Sequence, residues 1–320
     1  MSFQDIRGQD KSLNLLKGYL QQGTLQGSWL FTGSEGVGKK LAAKEAAKAI
    51  NCVENNFDAC DRCVSCKKIN NNSHPDVHIL EYQNSEIKID YIRQLKKDIS
   101  FKPYEGKKKV FIIDNAHRLN GESSNAFLKI LEEPLKDNLI ILVSDKPALL
   151  FKTIISRCKI LKFSVFKREE LKEFFKKSYQ LDDNAAHFLA YFSEGKLGLA
   201  LKLKDTDILK KKNAIIDKAC YPSPTDLENF AIEDKEEAHG YLNVLASWFR
   251  DIYMIKAGMP QGELINFDRK SDLLRSMNLF SFSELNEILN VISNSSLYLD
   301  QNINLKLLFY NVTVQMKGCG

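Results

Sequence analysis

The order of apolar and polar positions divides the chain into two parts. In the first part, continuous apolar runs at residues 29–32, 110–113 and 139–143 alternate with stretches whose apolar positions recur every three to four residues. Unbroken runs of this length are typical of strands buried on both faces of a parallel sheet. The first part is therefore predicted to be an α/β domain, with further strands at 74–80 and 160–163.

From residue 167 onward, the apolar positions keep a helical spacing. A helix near residue 245 has an apolar face built from Leu242, Leu245, Trp248, Phe249, Ile252 and Tyr253. A last helix is expected over residues 304–316, and no strand-like alternation appears after Leu201. A length of 320 residues suits two or three domains, and the later ones are predicted to be all-helical.

A glycine-rich turn between the first apolar run and an alanine-rich helix matches the phosphate-binding pattern G-x-x-x-x-G-K-[ST]. We assign Gly33, Gly36, Gly38 and Lys39 to a candidate nucleotide site at the N-terminus of that helix, where free N–H groups favour an anion. Lys40 stands where the pattern needs a hydroxyl that ligates Mg²⁺. An ammonium group cannot ligate a metal, so one part of this site is altered.

The second apolar run ends in Asp114, as does the strand that helps to hold Mg²⁺ in P-loop ATPases. Active hydrolases of this kind usually place a glutamate next to activate water, whereas this chain has Asn115, whose amide has no basic oxygen. Lys40 and Asn115 together argue against hydrolysis, while the retained Lys39 leaves binding of ATP or ADP open. Ser144, after the third run, is either a residue that approaches a γ-phosphate or a plain strand terminus.

Four cysteines lie within fifteen residues, at Cys52, Cys60, Cys63 and Cys66. This spacing fits a tetrahedral zinc site with no open position, which would stabilise a module too short to have its own core. An iron–sulfur cluster and unligated thiols are the alternatives. His74 and His78 flank a proline and are interpreted as structural residues of a strand.

Composition limits the class of protein. Apolar residues make up 44% of the chain and aromatic residues 10%, which indicates globular domains with real cores. The net charge of +5 is too small to indicate nucleic-acid binding by itself. No apolar run approaches the ~18 residues of a membrane span, and the N-terminal residues lack an apolar signal segment. We therefore expect a cytoplasmic protein with no membrane partner.

Several short stretches of the first two hundred residues occur together in one protein family. They are Gly8-Gln9, Leu30-Phe31-Thr32-Gly33, the four-cysteine module, His74-Pro75-Asp76, residues 87–93, residues 112–116, Leu131-Glu132-Glu133-Pro134 and Ser156-Arg157-Cys158. In these stretches the chain resembles the AAA+ clamp-loader subunits of bacterial DNA polymerase III. A cysteine module between the P-loop helix and the next strand is unusual among P-loop proteins, which makes the resemblance specific.

The resemblance implies a fold of three domains. They are a RecA-like α/β AAA+ core at 1–165 with a zinc module inserted at 52–66, a small helical lid at 166–208, and an all-α collar at 209–320 that joins subunits in a ring. The helical last third resembles the family only in length and class.

The resemblance also implies a role for Arg157 as a finger that enters the ATP site of a neighbouring subunit. Partners would be ATPase motor subunits of the tau/gamma type, a delta subunit, the sliding clamp, and primed DNA within the complex. In the motor subunits, Ser or Thr follows the P-loop lysine, a glutamate follows the aspartate, and an arginine lies near the lid glycines, where this chain has Gly198.

These observations favour a non-hydrolysing subunit that lends Arg157 and holds a structural zinc ion. Two alternatives remain. Gly33, Lys39 and Asp114 would also suit an active ATPase motor subunit, and the cysteine module with the lysine runs would suit a stand-alone zinc protein that binds nucleic acid.

Overall fold

The structure, a computed structural model, describes residues 2–54, 57–81, 86–132, 138–206, 208–220, 234–299, 301 and 304–317. Glu133 and Pro134, which the sequence analysis used, lie outside the described residues. The chain divides into two compact units. The first comprises residues 1–166 together with 196–198, and the second comprises residues 167–195 and 199–320.

The first unit alternates helices and strands, as the apolar runs predict. Its helices are α1 (Asp10–Gln21), α2 (Lys39–Asn51), α3 (Val64–Asn70), α4 (Ile89–Ile99), α5 (Gly121–Glu132) and α6 (Lys152–Ile155). Its strands are β1 (Gly27–Thr32), β2 (Val77–Leu80), β3 (Lys109–Ile113), β4 (Asn138–Ser144) and β5 (Lys159–Lys162). The strand predicted at 74–80 is shorter than expected and begins only at Val77, because Pro75 has no N–H for a ladder.

The strands form one parallel sheet in the order β2-β3-β4-β1-β5. In this sheet, Trp29 of β1 pairs with Ile141 of β4 on one side and with Lys159 of β5 on the other. Each strand is connected to the next through a segment that contains a helix, which a parallel sheet requires. The predicted α/β class is confirmed.

Both faces of the sheet are covered by helices, which explains the unbroken apolar runs. Trp29 and Phe31 belong to a cluster that includes buried residues of α1 and α2. Leu30, between them, belongs to a second cluster with residues of α4 and α5. Successive side chains of a strand point to opposite faces, so Trp29, Leu30 and Phe31 of β1 all have an apolar environment.

The described residues of the second unit contain helices and no strand, as predicted. They are α7 (Arg168–Tyr179), α8 (Asp183–Phe192), α9 (Leu197–Lys204, whose first two residues group with the first unit), α10 (Ile208–Cys220), α11 (Lys235–Lys256), α12 (Lys270–Ser276), α13 (Phe282–Leu299) and α14 (Leu305–Lys317). Trp248 of α11 is fully buried. The division into core, lid and collar domains stays a prediction.

Among the described residues, no helix is both long enough and apolar enough to cross a membrane.

Candidate nucleotide cleft and cysteine cluster

A cleft of about 620 Å³ lies at the carboxyl ends of the strands in the first unit. Its lining includes Gly36, Gly38, Lys39, Lys40, Glu81, Asp114, Asn115, Ser144 and Asp145. These residues come from the turn after β1, from the start of α2 and from the ends of β2, β3 and β4. Ligands of open α/β sheets bind at this edge, and small-molecule sites commonly span about 300–1,000 Å³. Position and size therefore both suit a nucleotide.

The glycine-rich turn keeps a backbone shape that only glycine adopts without strain. Gly33 has a φ of 145°, and a Cβ atom there would lie 2.3 Å from the carbonyl oxygen of Phe163. Gly38 has a φ of 92° and is the N-cap of α2. The first N–H groups of a helix have no partner within the helix, so the turn presents donors to the cleft.

Lys39, the first residue of α2, is buried against the turn. Its Nζ donates hydrogen bonds to the carbonyl oxygens of Gly33, at 2.7 Å, and Ser34, at 2.6 Å. Burial lowers the pKa of Lys39, and nearby carboxylates, Asp145 and then Asp114, act in the opposite direction. Lys39 is therefore located where the sequence pattern needs a phosphate-binding cation.

Lys40 binds the two acidic side chains at the ends of β2 and β3. Its Nζ lies 2.8 Å from Oε2 of Glu81 and 3.4 Å from Oδ2 of Asp114. The next residue, Asn115, has a φ of 52° and donates its N–H to Oδ1 of Asp114 at 3.0 Å. A cation of the chain itself thus faces the carboxylates that a metal would need as ligands.

A second polar group lies at the end of β4. The Oγ of Ser144 accepts a hydrogen bond from the N–H of Lys146 at 3.1 Å and lies 3.2 Å from Nδ1 of His117. The same Nδ1 lies 3.3 Å from Oδ1 of Asp145. Burial lowers the pKa of His117, with Asp145 opposing it. Ser144 is therefore a bonded residue of the cleft lining, as well as the last residue of its strand.

Gly198 lies against the glycine-rich turn. Its N–H donates to the carbonyl oxygen of Gly36 at 2.8 Å. A Cβ atom at position 198 would lie only 2.7 Å from that same oxygen. Gly198 stands where the motor subunits have an arginine, and the contact with Gly36 gives a steric reason for the glycine, since any side chain here would push on the turn.

The four cysteines of the module converge. Their Sγ atoms all lie within 4.8 Å of one another, and those of Cys60 and Cys66 are 4.0 Å apart. Sulfur ligands about 2.3 Å from a tetrahedral metal are separated by roughly 3.8 Å, so the thiols fit a metal ion. Burial raises the pKa of Cys63, but N–H groups of Cys66 and Val53 outweigh it and bring the value to about 6. The cluster could thus hold a metal.

A buried lysine of α2 forms an ion pair with the cysteine module. Lys48 lies fully buried, with its Nζ 2.8 Å from Oε2 of Glu45 and 2.6 Å from Oδ1 of Asp61. Burial raises the pKa of Asp61, but the Lys48 ammonium helps to lower it to about 2. The helix that begins at the nucleotide cleft therefore also holds the module through a charge pair.

Arg157 lies two residues after the end of the short helix α6 and is not among the described residues that line the cleft. Its Nη1 donates to the carbonyl oxygen of Thr153 at 3.1 Å, and its Nη2 lies 2.8 Å from Oε1 of Glu132. The side chain is 38% exposed. Three of the five guanidinium N–H donors are not used in these two bonds.

Several residues of these sites were missed by the sequence analysis, among them Glu81, His117 and Asp145 in the cleft and Lys48 beside the cysteine module. Glu81 follows β2 directly, and this position at a strand end was the signal that could have identified it. Glu132 was noted only as part of a motif, and its contact with Arg157 joins positions 25 apart in the chain.

The family of this chain follows from sequence comparison. The family described as "DNA polymerase III, delta subunit" matches residues 8–167, and a second described as "DNA polymerase III, delta subunit, C terminal" matches residues 224–317. The chain belongs to this family of DNA polymerase III delta subunits. The resemblance to clamp-loader subunits of this polymerase, and among them to the delta' subunit, is confirmed.

Individual relatives agree with the family. The DNA polymerase III subunit delta' of Bacillus subtilis is 34% identical over 165 residues, which cover 52% of this chain and 50% of that protein. The subunit tau of the same organism is 33% identical over 226 residues, which cover 67% of this chain and 40% of that protein. The chain thus spans about half the length of the curated relatives it matches, and these relatives include delta', gamma and tau subunits.

Solved structures also align with most of the chain. A gamma subunit-related protein of DNA polymerase III from Thermotoga maritima shares 18% identity and has a TM-score of 0.42. The alignment covers 96% of this chain and 99% of that one.

Proposed function

We propose that this chain is a clamp-loader subunit that does not hydrolyse ATP itself and that lends Arg157 to the ATP site of a neighbouring subunit. The observation that carries the first half is the position of Lys40. Its ammonium group lies between Glu81 and Asp114, where a hydrolytic site would bind Mg²⁺. Asn115 cannot act as the base that activates water.

The surroundings of Arg157 support the second half. Its guanidinium group is partly exposed and is held by two contacts, with Thr153 and Glu132, that leave other donors for phosphate oxygens. Arginine suits this task because its planar donors match phosphate geometry and it stays charged. An arginine supplied in trans is worth roughly 10³–10⁵ in the rate of phosphoryl transfer.

The proposed assembly follows the relatives. We assign the motor role to subunits of the gamma/tau type, with a delta subunit, the sliding clamp and primed DNA as further partners. The four thiols are proposed to hold one structural Zn²⁺. The helices after residue 166 are proposed to form the lid at 166–208 and the collar at 209–320.

The test is ATP hydrolysis by a complex reconstituted from this chain and its cognate gamma/tau-type subunits. Arg157→Ala should lower hydrolysis at the bordering site by roughly 10³–10⁵ while the complex still assembles. Arg157→Lys is the matched control, since it keeps the charge but loses the planar fork, and should give an intermediate rate. Unchanged hydrolysis in a complex whose assembly has been verified by gel filtration would refute the role of Arg157.

A second candidate function is that of an active motor subunit. It is favoured by the retained Gly33, Lys39 and Asp114 and by the similarity to subunit tau of Bacillus subtilis. Hydrolysis by the isolated chain that disappears in Lys39→Ala would support it. Hydrolysis no faster than in buffer alone would remove it.

A further inference from the structure

We propose that Lys40 is the resident counter-cation of the cleft, so that the cleft binds a nucleoside diphosphate or triphosphate without Mg²⁺. The site would then recognise phosphates through two lysines and the N–H groups of the turn. Mg²⁺ would add nothing to this binding.

The turn has the shape of a phosphate-binding loop. The φ angles of Gly33 and Gly38 and the buried position of Lys39 keep a phosphate-binding shape, and the cleft in front of the turn has a volume of about 620 Å³. A site that had lost its ligand altogether would have no need of these restrictive glycines. The departure from the phosphate-binding pattern is confined to the metal's part of the site.

Lys40 also balances the negative charge of the cleft. The carboxylates of Glu81 and Asp114 would repel phosphate groups if they lacked a cation. The ammonium of Lys40 approaches both, at 2.8 and 3.4 Å, and therefore supplies positive charge where Mg²⁺ would otherwise do so. Because Lys40 is covalently attached one residue beyond Lys39, its local concentration is high and does not depend on the solution.

The side chains of the cleft do not provide the ligands that Mg²⁺ needs. This ion demands octahedral oxygen ligands at about 2.0–2.1 Å and releases its water reluctantly. Here the hydroxyl ligand is absent, and both candidate carboxylates already contact an ammonium group. Mg²⁺ would have to displace Lys40 from Glu81 and Asp114 while gaining no ligand from position 40. The donor set therefore does not fit the metal, although the turn fits the phosphates.

The test is isothermal titration calorimetry of the full chain with ADP, once with millimolar Mg²⁺ and once with EDTA. The wild-type chain should give the same dissociation constant in both buffers within about twofold. Lys39→Ala should abolish binding in both. Lys44→Thr, a control one turn further along α2 whose ammonium contacts Asn70 and Asn72, should behave as the wild type does.

Position 40 gives the decisive variants. Lys40→Ala should weaken ADP binding in EDTA by at least about tenfold, because the counter-cation is lost. Lys40→Thr restores the hydroxyl and should bind ADP at least about tenfold more tightly with Mg²⁺ than with EDTA. Glu81→Gln, which keeps Lys40 and removes one carboxylate, should tighten binding in EDTA and serves if the Lys40 variants fail to fold.

Wild-type binding that requires Mg²⁺ would overturn the inference, as would a wild-type chain that binds no ADP in either buffer. Arg157 does not line the cleft. The result for ADP is therefore separate from the effect of Arg157→Ala in the assembled complex, and either proposal can fail while the other stands.

Discussion

The cysteine cluster and the nucleotide cleft lie on the same unit and share helix α2, yet they differ in completeness. In the cluster, all four thiols converge within 4.8 Å, so the full donor set of a metal site is present. In the cleft, the backbone of the turn and Lys39 are retained, but Lys40 occupies the metal's part of the site. One site has kept both scaffold and chemistry, and the other has kept the scaffold and changed the chemistry.

The difference shows that the shape of a site and its reactivity can separate. Restrictive glycines and a buried lysine maintain the turn, whereas hydrolysis depends on a metal ligand and a base, which side chains at positions 40 and 115 determine. A site can lose those two groups without losing the fold of the unit. The cluster has no such freedom, because the metal would itself stabilise the module.

The largest effect is expected at the cysteine cluster. Cys60→Ser combined with Cys63→Ser should remove bound zinc and unfold the module locally, because structural zinc contributes on the order of 10 kcal/mol to folding in small metal domains. Metal content by mass spectrometry and amide hydrogen exchange over residues 57–70 would measure both effects. Cys158→Ser, outside the cluster, is the control and should keep one zinc per chain. Full metal content in the double variant would refute the ligand assignment.

An intermediate effect is expected at Asp76, which directly precedes β2. Its carboxylate is fully buried and accepts N–H bonds from Tyr104, Glu105 and Gly106 at 2.7–2.8 Å. Asp76→Asn should lower the free energy of unfolding by roughly 3 kcal/mol, because charged hydrogen bonds contribute about 1.5–3 kcal/mol each and an amide satisfies fewer donors. Urea denaturation measures the change. Asp90→Asn, at an exposed position, is the control and should change the free energy of unfolding hardly at all.

The pH dependence of stability follows from the same residue. Burial raises the pKa of Asp76, but the three N–H donors outweigh it and leave the pKa below the usual 3.8. The stabilisation is therefore complete above the usual pKa and is lost as the pH falls through the lower, folded-state value. The difference in unfolding free energy between wild type and Asp76→Asn should shrink below pH 4. A difference that grows on acidification would contradict this account.

The smallest effect is expected at Gly198. A methyl group there would lie 2.7 Å from the carbonyl oxygen of Gly36. Gly198→Ala should therefore lower the free energy of unfolding by about 1–2 kcal/mol, despite alanine's better helix propensity. Gly240→Ala in α11, where the new Cβ would have no neighbour within 4 Å, should instead raise the free energy of unfolding by roughly 0.5–1 kcal/mol. Thermal unfolding of both variants measures the contrast. An equal increase in stability for both variants would show that the turn moves to accommodate the methyl group and would contradict this prediction.

Much of the fold could be predicted from the sequence because the strands of the first unit are buried on both faces. The run at 139–143 within β4 contains no polar residue that would obscure the pattern. Element ends were less accurate. The strand predicted at 74–80 begins only at Val77, since the backbone of Pro75 offers no N–H donor to a neighbouring strand.

The departures of the cleft from the phosphate-binding pattern could be recognised in the sequence, but the contacts that these residues make could not be predicted. Lys40 and Asn115 could be recognised because they break a local pattern of adjacent residues. The partner of Lys40, Glu81, lies 41 positions away and reaches it only because β2 ends and α2 begins at the same edge of the sheet. Such a convergence depends on topology, which no local spacing reports. The same holds for the contact of Arg157 with Glu132.

The central claim is that this chain contributes to hydrolysis through Arg157 and not through its own cleft. The most direct test compares Lys39→Ala and Arg157→Ala in otherwise identical complexes with the gamma/tau-type subunits, by single-turnover ATP hydrolysis after verified assembly. The account predicts an unchanged rate for Lys39→Ala and the loss of the chain-dependent rate for Arg157→Ala. A loss with Lys39→Ala and none with Arg157→Ala would contradict it.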